Sequence, residues 1–170
     1  MAASNTIDLA SLQLRQGEAR RTEVPLGEDS FTYGGERYSL AGSTPAVLDV
    51  SRTAAGFAFH LRFDGALAGP CMRCLEPATI EVPVEAREVD QPGQGEQLES
   101  PYVDAEELRV LDWAHDALAL ALPAQLLCRE DCAGLCPVCG GSLNDAREGE
   151  HDHPRDADPR WDKLRELKLD

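Results

Sequence analysis

The six cysteines of this 170-residue chain fall into three close pairs, and their spacing is the clearest chemical signal in the sequence. The pairs read Cys-Met-Arg-Cys, Cys-Arg-Glu-Asp-Cys and Cys-Pro-Val-Cys, and their members are Cys71, Cys74, Cys128, Cys132, Cys136 and Cys139. A spacer of two residues lets one tight turn present two thiolates, and zinc takes four such donors at the corners of a tetrahedron. The spacing therefore predicts structural metal ligands.

Other uses of paired cysteines fit the sequence less well. A thioredoxin-like redox pair begins a helix in a βαβ unit, whereas Cys71 and Cys74 lie between two apparent strands. Disulfides need an oxidising compartment, and the first ten residues, MAASNTIDLA, lack the charged start and apolar stretch of a signal peptide. No apolar run reaches the roughly 20 residues that span a bilayer. We therefore expect a cytoplasmic protein with reduced thiols and no membrane contact.

Two histidines complete the ligand count. Six thiolates are too many for one zinc ion and too few for two, and His151-Asp152-His153 follows the last cysteine at a short distance. We expect two zinc ions, the first held by four thiolates and the second by two thiolates and two imidazoles: Cys71, Cys74, Cys128 and Cys132; Cys136, Cys139, His151 and His153. A rival pairing places Cys128, Cys132, Cys136 and Cys139 on one ion. The spacing leaves both pairings open.

The elements that must position these ligands are mostly strands. Phe57, Phe59, Leu61 and Phe63 alternate with less apolar residues, and Ile80, Val82 and Val84 repeat the alternation. Such a period of two indicates half-buried antiparallel strands. A further strand is expected around Ala46 to Val50, and a Gly34-Gly35 turn is expected between two others.

Two helices and one loop complete the predicted fold. Asp112 is a candidate N-cap for a helix from Trp113 to about Leu122, which Pro123 ends. Asp158 and Pro159 predict the start of a short C-terminal helix. Residues 90–105 are rich in acids, Pro and Gly, which predicts a mobile acidic loop.

We therefore expect an α+β fold with an antiparallel β-rich core, two short helices and a zinc-stapled C-terminal segment. Residues 1–127 would form the core domain, and residues 128–170 the zinc-binding segment with a helix packed on that core.

The net charge of −15 is concentrated in one region, since residues 81–112 carry ten acidic and two basic side chains. A chain this acidic lacks the usual electrostatic signature of a nucleic-acid binder. It is better suited to a basic protein partner. Direct RNA contact would need the scattered arginines and lysines to form one patch: Arg15, Arg20, Arg21, Arg160, Lys163, Arg165 and Lys168.

Several motifs resemble those of the YceD family. Residues 71–77 are similar to its CxRCL segment, and Leu118 to Pro123 with the stretch from Asp131 to Gly140 resembles its LALP…C…DCxGLCPxCG signature. Leu143-Asn144 and Asp158-Pro159-Arg160 resemble the family's LN and DPR endings. The resemblance covers about residues 45–170.

This resemblance implies a role in accumulation of the 23S ribosomal RNA and assembly of the large ribosomal subunit. Many relatives carry Cys-x-Cys where this chain has His151-x-His153, and shorter relatives lack the CPxCG part, which favours the two-site pairing given above. The leading expectation is a non-catalytic assembly factor that binds a large-subunit precursor through a basic ribosomal protein, with RNA contact secondary. The alternatives are a zinc-dependent nuclease or hydrolase, and a zinc- or redox-sensing regulatory protein.

Overall fold

A computed structural model describes residues 6–27, 30–33, 35–40 and 45–154 of the chain. Within these residues the chain forms one α-helix, nine β-strands and two short 3-10 turns at Ala10–Leu12 and Glu96–Leu98. The strands and the helix are β1 (Ile7–Asp8), β2 (Ala19–Pro25), β3 (Ser30–Tyr33), β4 (Glu36–Leu40), β5 (Pro45–Arg52), β6 (Phe57–Pro70), β7 (Pro77–Asp90), β8 (Val103–Asp104), β9 (Glu107–Leu108) and α1 (Val110–Ala121).

The main sheet is antiparallel and is built around a long hairpin. Strands β6 and β7 pair over their whole length, from Phe57 opposite Asp90 to Pro70 opposite Pro77. On its other edge, β6 pairs first with β5 and then, near the far end of the hairpin, with β4. β2 extends the sheet beyond β5, and β3 extends it beyond β4. A small second sheet has the order β1-β9-β8. The far end of the hairpin therefore projects a six-residue turn, residues 71–76.

The apolar residues that alternate along the strands lie on one face of the main sheet, and this face lies in the core. Along β6 the apolar members of the alternation are buried, while their neighbours are partly or fully exposed. Leu48 on β5 and Leu61 on β6 are both 0% exposed. The predicted antiparallel, β-rich core is confirmed.

Helix α1 covers this apolar face. Its buried residues follow the spacing of one helical face, and they are Val110, Trp113, Ala114, Ala117 and Leu118. The Trp113 ring meets Phe59 edge-on at a centroid distance of 6.3 Å. The helix begins three residues earlier than predicted, because buried Val110 joins the core. Asp112 lies in the first turn and pairs with Arg109 at 3.1 Å, so it is not the N-cap. The predicted C-terminal helix from Asp158 lies outside the described residues.

The acidic segment at 90–105 contains regular structure, namely the 3-10 turn at Glu96–Leu98 and strand β8. The Asp90 side chain is buried and accepts a hydrogen bond from the Ser100 backbone N–H at 3.1 Å. The Gln91 N–H donates to the Leu98 carbonyl at 2.7 Å, which closes a loop around the turn at Glu96–Leu98. The composition did not reveal these anchors because they are single polar contacts. Mobility of the segment stays a prediction.

Among the described residues, no helix has the length and apolar character needed to cross a membrane.

Candidate metal centres

The first cysteine pair forms the tip of the β6–β7 hairpin. Cys71 donates its backbone N–H to the Glu76 carbonyl at 2.7 Å, and its own carbonyl accepts the Leu75 N–H at 2.9 Å. These two hydrogen bonds close the turn so that β7 can begin opposite the end of β6. Tyr38 of β4 donates its hydroxyl to the Pro70 carbonyl at 2.8 Å and fixes the base of the turn. Both thiols, Cys71 and Cys74, are buried.

The segment after α1 lies against this tip. Met72 donates its backbone N–H to the Leu126 carbonyl at 2.9 Å. The Arg73 guanidinium donates to the Cys132 carbonyl at 2.9 Å and to Gln125 Oε1 at 3.2 Å. These contacts carry Cys128 and Cys132 to the hairpin tip. Neither the anchoring role of Arg73 nor that of Gln125 was foreseen from the sequence, because a long polar side chain does not reveal its partner.

The four thiols form a compact group. The sulfurs of Cys71 and Cys132 are 3.8 Å apart, and those of Cys74 and Cys128 are 3.6 Å apart. All four sulfurs lie within 4.8 Å of one another. Zn–S bonds of about 2.3 Å in a tetrahedron place sulfurs about 3.8 Å apart, so the group fits a zinc ion. The separations are far longer than a disulfide bond of about 2.05 Å.

Without a cation, Cys71 and Cys128 of this group differ widely in pKa. Burial raises the pKa of Cys71, but backbone N–H groups of Arg73, Cys74 and Cys128 stabilise its thiolate and hold that pKa at about 6. Burial raises the pKa of Cys128 to about 12, with the neighbouring thiols adding to the increase. All four can be thiolates together only with a positive ion among them, which a divalent metal would supply.

The third cysteine pair forms a second turn of the same kind. Cys136 donates its N–H to the Gly141 carbonyl at 2.8 Å, and its carbonyl accepts the Gly140 N–H at 2.8 Å. Gly140 has φ 72°, a left-handed conformation that glycine adopts without steric cost. Cys136 is buried, whereas Cys139 is exposed at the surface.

The two predicted histidines complete a second group of four. Cys139 Sγ lies 3.2 Å from His151 Nδ1, and the ligand atoms of Cys136, Cys139, His151 and His153 lie within 4.8 Å of one another. The Nε2 atom of His153 is buried and has no hydrogen-bond partner. An unpaired buried imidazole nitrogen is costly unless a metal or a donor satisfies it. The residues present therefore fit a metal ion.

Space for the His151 ring depends on a glycine. A Cβ built on Gly141 would lie 2.6 Å from His151 Cε1, closer than real Cβ contacts come. Gly141 is thus needed to let the ring approach the Cys139 sulfur.

The structure places the eight predicted ligands in the first of the two pairings considered from spacing, and not in the rival one. Both groups could hold metal ions; their role as zinc ligands stays a prediction.

Asn144 connects the loops that carry the two ligand groups. Its Oδ1 accepts a hydrogen bond from the Ala133 N–H at 2.8 Å, and its carbonyl accepts one from the Arg129 guanidinium at 3.0 Å. This bridge was not identified from the sequence.

The remaining histidines have ordinary structural contacts. His60 hydrogen-bonds Glu85 on the exposed face of the sheet at 2.9 Å. The His115 ring stacks on Phe31 at a centroid distance of 4.4 Å.

Comparison with known proteins matches the region that carries both groups. A family model described as "Large ribosomal RNA subunit accumulation protein YceD" matches residues 59–168. An uncharacterized protein of Mycobacterium tuberculosis strain H37Rv is 34% identical over 132 residues, which cover 72% of this chain and 62% of that relative. An uncharacterized protein of Mycobacterium leprae is 46% identical over 52 residues, or 31% of this chain and 23% of that relative.

This chain therefore spans less than two thirds of the length of these curated relatives. No solved structure matches it.

Proposed function

This chain belongs to the YceD family, and we propose that it is a non-catalytic factor that supports accumulation of the large-subunit 23S ribosomal RNA and assembly of the large ribosomal subunit. The observation that carries this proposal is the family match over residues 59–168. That stretch includes the β6–β7 hairpin except its first two residues, together with helix α1 and all eight candidate ligands. The proposed role therefore belongs to the part of the molecule that the two ligand groups organise.

We propose that both groups bind zinc and that both ions are structural. Each group offers four protein donors, either four thiolates or two thiolates with two imidazoles, which fills a tetrahedral ion. A catalytic zinc instead keeps one position for water or substrate. The ions would fix the hairpin tip and the loop beside it in one conformation, as a surface for a partner.

We propose that the partner on the large-subunit precursor is mainly a basic ribosomal protein, with RNA contact secondary. The net charge of −15 favours a basic surface over a phosphate backbone. Three exposed glutamates, Glu96, Glu106 and Glu107, lie in the acidic region between β7 and α1. Of the arginines considered for an RNA patch, Arg21 already pairs with Asp49 at 2.7 Å, and the basic residues from Arg160 onward lie outside the described residues.

The function is tested in a strain depleted of this protein. We expect the ratio of mature 23S to 16S ribosomal RNA to fall, and large-subunit precursors to accumulate on sucrose gradients. The full-length gene should restore the ratio, while a Cys71→Ser/Cys74→Ser gene should not. An unchanged 23S level after depletion would contradict the proposed function.

The type of partner is tested by capture on tagged protein with and without RNase. We expect a basic large-subunit protein to remain after RNase treatment, and the triple reversal Glu96→Lys/Glu106→Lys/Glu107→Lys to weaken its retention. Arg20→Glu is the matched control, because Arg20 is exposed and lies on β2, in the main sheet. If RNase abolishes all capture, and the purified protein binds precursor ribosomal RNA tightly at physiological salt, direct RNA binding replaces this proposal.

A further inference from the structure

Strand β7 has a free outer edge along the main sheet. Among the described residues it pairs only with β6. The Glu76 carbonyl, just before β7, accepts the Cys71 N–H at 2.7 Å, and the Val82 carbonyl lies 3.6 Å from a Cβ built on Gly65 of β6. Even-numbered residues of β7 therefore direct their backbone groups toward β6. Since these directions alternate along a strand, the odd-numbered residues direct their N–H and C=O groups away from the sheet.

Two prolines divide this edge into a hindered half and an open half. Pro77 and Pro83 are odd-numbered, so the N–H groups that they lack are missing from the outer edge, where they hinder pairing with another strand. Beyond Pro83, three successive outward residues keep their N–H groups: Glu85, Arg87 and Val89. The outward backbone groups of these three residues make no hydrogen bond within the described part of the chain. This half of the edge is therefore open to a new strand.

The open half of the edge forms one wall of a groove, called the β7 groove below. Residues 83–88 of β7 face helix α1 across a space of about 550 Å³. The opposite wall is mainly apolar and consists of Tyr102, Trp113, Ala117, Leu120 and Ala121. Its alanines leave room for side chains of a partner, and Leu120 is 89% exposed. A row of free backbone groups thus adjoins an apolar wall.

The side chains of β7 show how a new strand would fit into this groove. Val84 is buried and Ala86 is half-buried on the side of α1, whereas Glu85 and Arg87 are exposed on the other face of the sheet. Side chains alternate along any strand, so every second side chain of an added strand would meet the apolar wall. The β7 groove therefore fits an extended segment with apolar residues at alternate positions.

The basic side chains near the groove already have acidic partners. Arg87 is the one basic side chain among the described residues that line the groove, and it pairs with Glu85 at 3.0 Å. Arg109 lies beside the opposite wall, where its N–H donates to the Tyr102 carbonyl at 2.8 Å, and its guanidinium pairs with Asp112 at 3.1 Å. These two arginines therefore leave no excess of positive charge at the groove.

Two further carboxylates give the groove a negative charge. Glu88 lines the groove, and Asp116 accepts a hydrogen bond from the tyrosine hydroxyl of the opposite wall at 2.9 Å. His60 does not offset them, since it contacts Glu85 on the exposed face of the sheet. Carboxylates and outward carbonyls repel the phosphates of RNA and favour a basic segment. Alternating donors and acceptors at strand spacing are matched by another extended polypeptide backbone.

We propose that residues 83–89 of β7 pair with an extended basic segment of a large-subunit protein, which becomes an additional strand of the main sheet. Main-chain hydrogen bonds along the edge hold the segment, and its alternate apolar side chains contact α1. The inference rests on the proposed function and deepens it, since it gives the site and the mode by which the basic ribosomal protein binds.

The strand pairing is tested by removing one outward N–H. Arg87→Pro lacks this N–H, whereas Arg87→Ala keeps it and loses the same side chain. We expect Arg87→Pro to bind purified large-subunit precursor particles about tenfold more weakly than Arg87→Ala, because a central hydrogen bond of the added strand is lost. Equal binding by the two variants would overturn the proposal. Unfolding of Arg87→Pro would also overturn it, since this N–H would then face β6.

The matched control makes the same pair of changes at Thr79. This residue is also odd-numbered and exposed on β7, but it lies on the other side of Pro83, outside the groove. Thr79→Pro and Thr79→Ala should bind the particles equally. A loss of binding in Thr79→Pro as large as that in Arg87→Pro would contradict a site confined to the β7 groove.

The occupant of the groove is tested by photo-crosslinking of the full chain to the same particles. One variant carries p-benzoylphenylalanine in place of Leu120, within the groove, and the control carries it in place of Val138, which is 58% exposed in the second cysteine turn. We expect the Leu120 probe to crosslink to a basic ribosomal protein, with no comparable product from Val138. Crosslinks mainly to ribosomal RNA or to a second copy of this chain, or equal products from both positions, would overturn the proposal.

The outcomes also separate this inference from the proposed function. Equal particle binding by Arg87→Pro and Arg87→Ala would reject the added strand, while loss of 23S ribosomal RNA on depletion would still support the function. Failure of the wild-type chain to bind the particles would reject both.

Discussion

The two groups of candidate ligands have similar turns but different positions in the fold. The first joins the tip of the β6–β7 hairpin to a segment far along the chain, since Cys74 and Cys128 are 54 positions apart, and three of its four cysteines are buried. The second closes a local loop, since Cys139 and His151 are only 12 positions apart, and Cys139 is exposed. Metal binding would therefore restrain tertiary structure in one place and a surface loop in the other.

Loop length alone makes the two groups differ only modestly in how much metal binding would stabilise the fold. Closure entropy grows with the logarithm of length, so the longer closure constrains the unfolded chain by only about 1 kcal/mol more. Burial makes the larger difference in stabilisation, because removing a ligand from the first group would leave buried thiols without a cation.

The largest predicted effect follows directly from this difference. Cys74→Ser should lower the stability of the metal-loaded protein by about 3 kcal/mol or more, which corresponds to roughly 10 °C in the midpoint of thermal unfolding. Cys139→Ser should lower the midpoint by less than about 3 °C, because only the loop near the surface loses its ion. Circular dichroism of both variants gives the comparison. The account is wrong if Cys139→Ser unfolds the core while Cys74→Ser leaves the midpoint unchanged.

A substitution at Gly141 should disturb the second group alone. In Gly141→Ala the new methyl group meets the His151 ring, so we expect faster zinc release to a chromogenic chelator from one site, with the other site unaffected. Gly140→Ala is the matched control, since a Cβ there meets nothing within 4 Å and costs only backbone strain of about 1 kcal/mol. Equal rates of zinc release from Gly141→Ala and Gly140→Ala would show that the space beside the His151 ring does not matter for metal binding.

The smallest effect on stability is expected at Asn144, which connects the loops of the two ligand groups. Asn144→Ala leaves the exposed Ala133 N–H without its side-chain acceptor, at a cost of about 1 kcal/mol. Asn144→Asp keeps an acceptor and should behave nearly as the wild type. Amide hydrogen exchange at residues 129–135 measures the effect. If both variants show the same protection, the hydrogen bond from the Ala133 N–H to the side chain of residue 144 does not stabilise this loop.

The sequence predicted the strands, and the side chains that lie together in two groups, better than the contacts that hold them in place. Cysteine spacing indicated six of these side chains because ligand geometry restricts spacing locally, and the shortfall of two donors indicated His151 and His153. The alternation from Phe57 to Phe63 was reliable because one face of the sheet is buried.

The parts that the sequence analysis missed depend on long-range contacts. The short strand β1 gives no local signal in the sequence, because it forms by pairing with β9 about a hundred residues later. The order within residues 90–105 likewise rests on the buried carboxylate of Asp90. The division into a core at 1–127 and a zinc segment at 128–170 stays a proposal.

We propose that two complete four-ligand zinc sites are built from these eight side chains. Native mass spectrometry of the full-length protein, purified with zinc, tests it most directly. We predict two zinc ions per wild-type chain, one in the His151→Ala/His153→Ala variant, and two again in His151→Cys/His153→Cys, because thiolate and imidazole both serve as zinc ligands. One zinc ion or none in the wild type, or an unchanged count in the double alanine variant, would contradict the account.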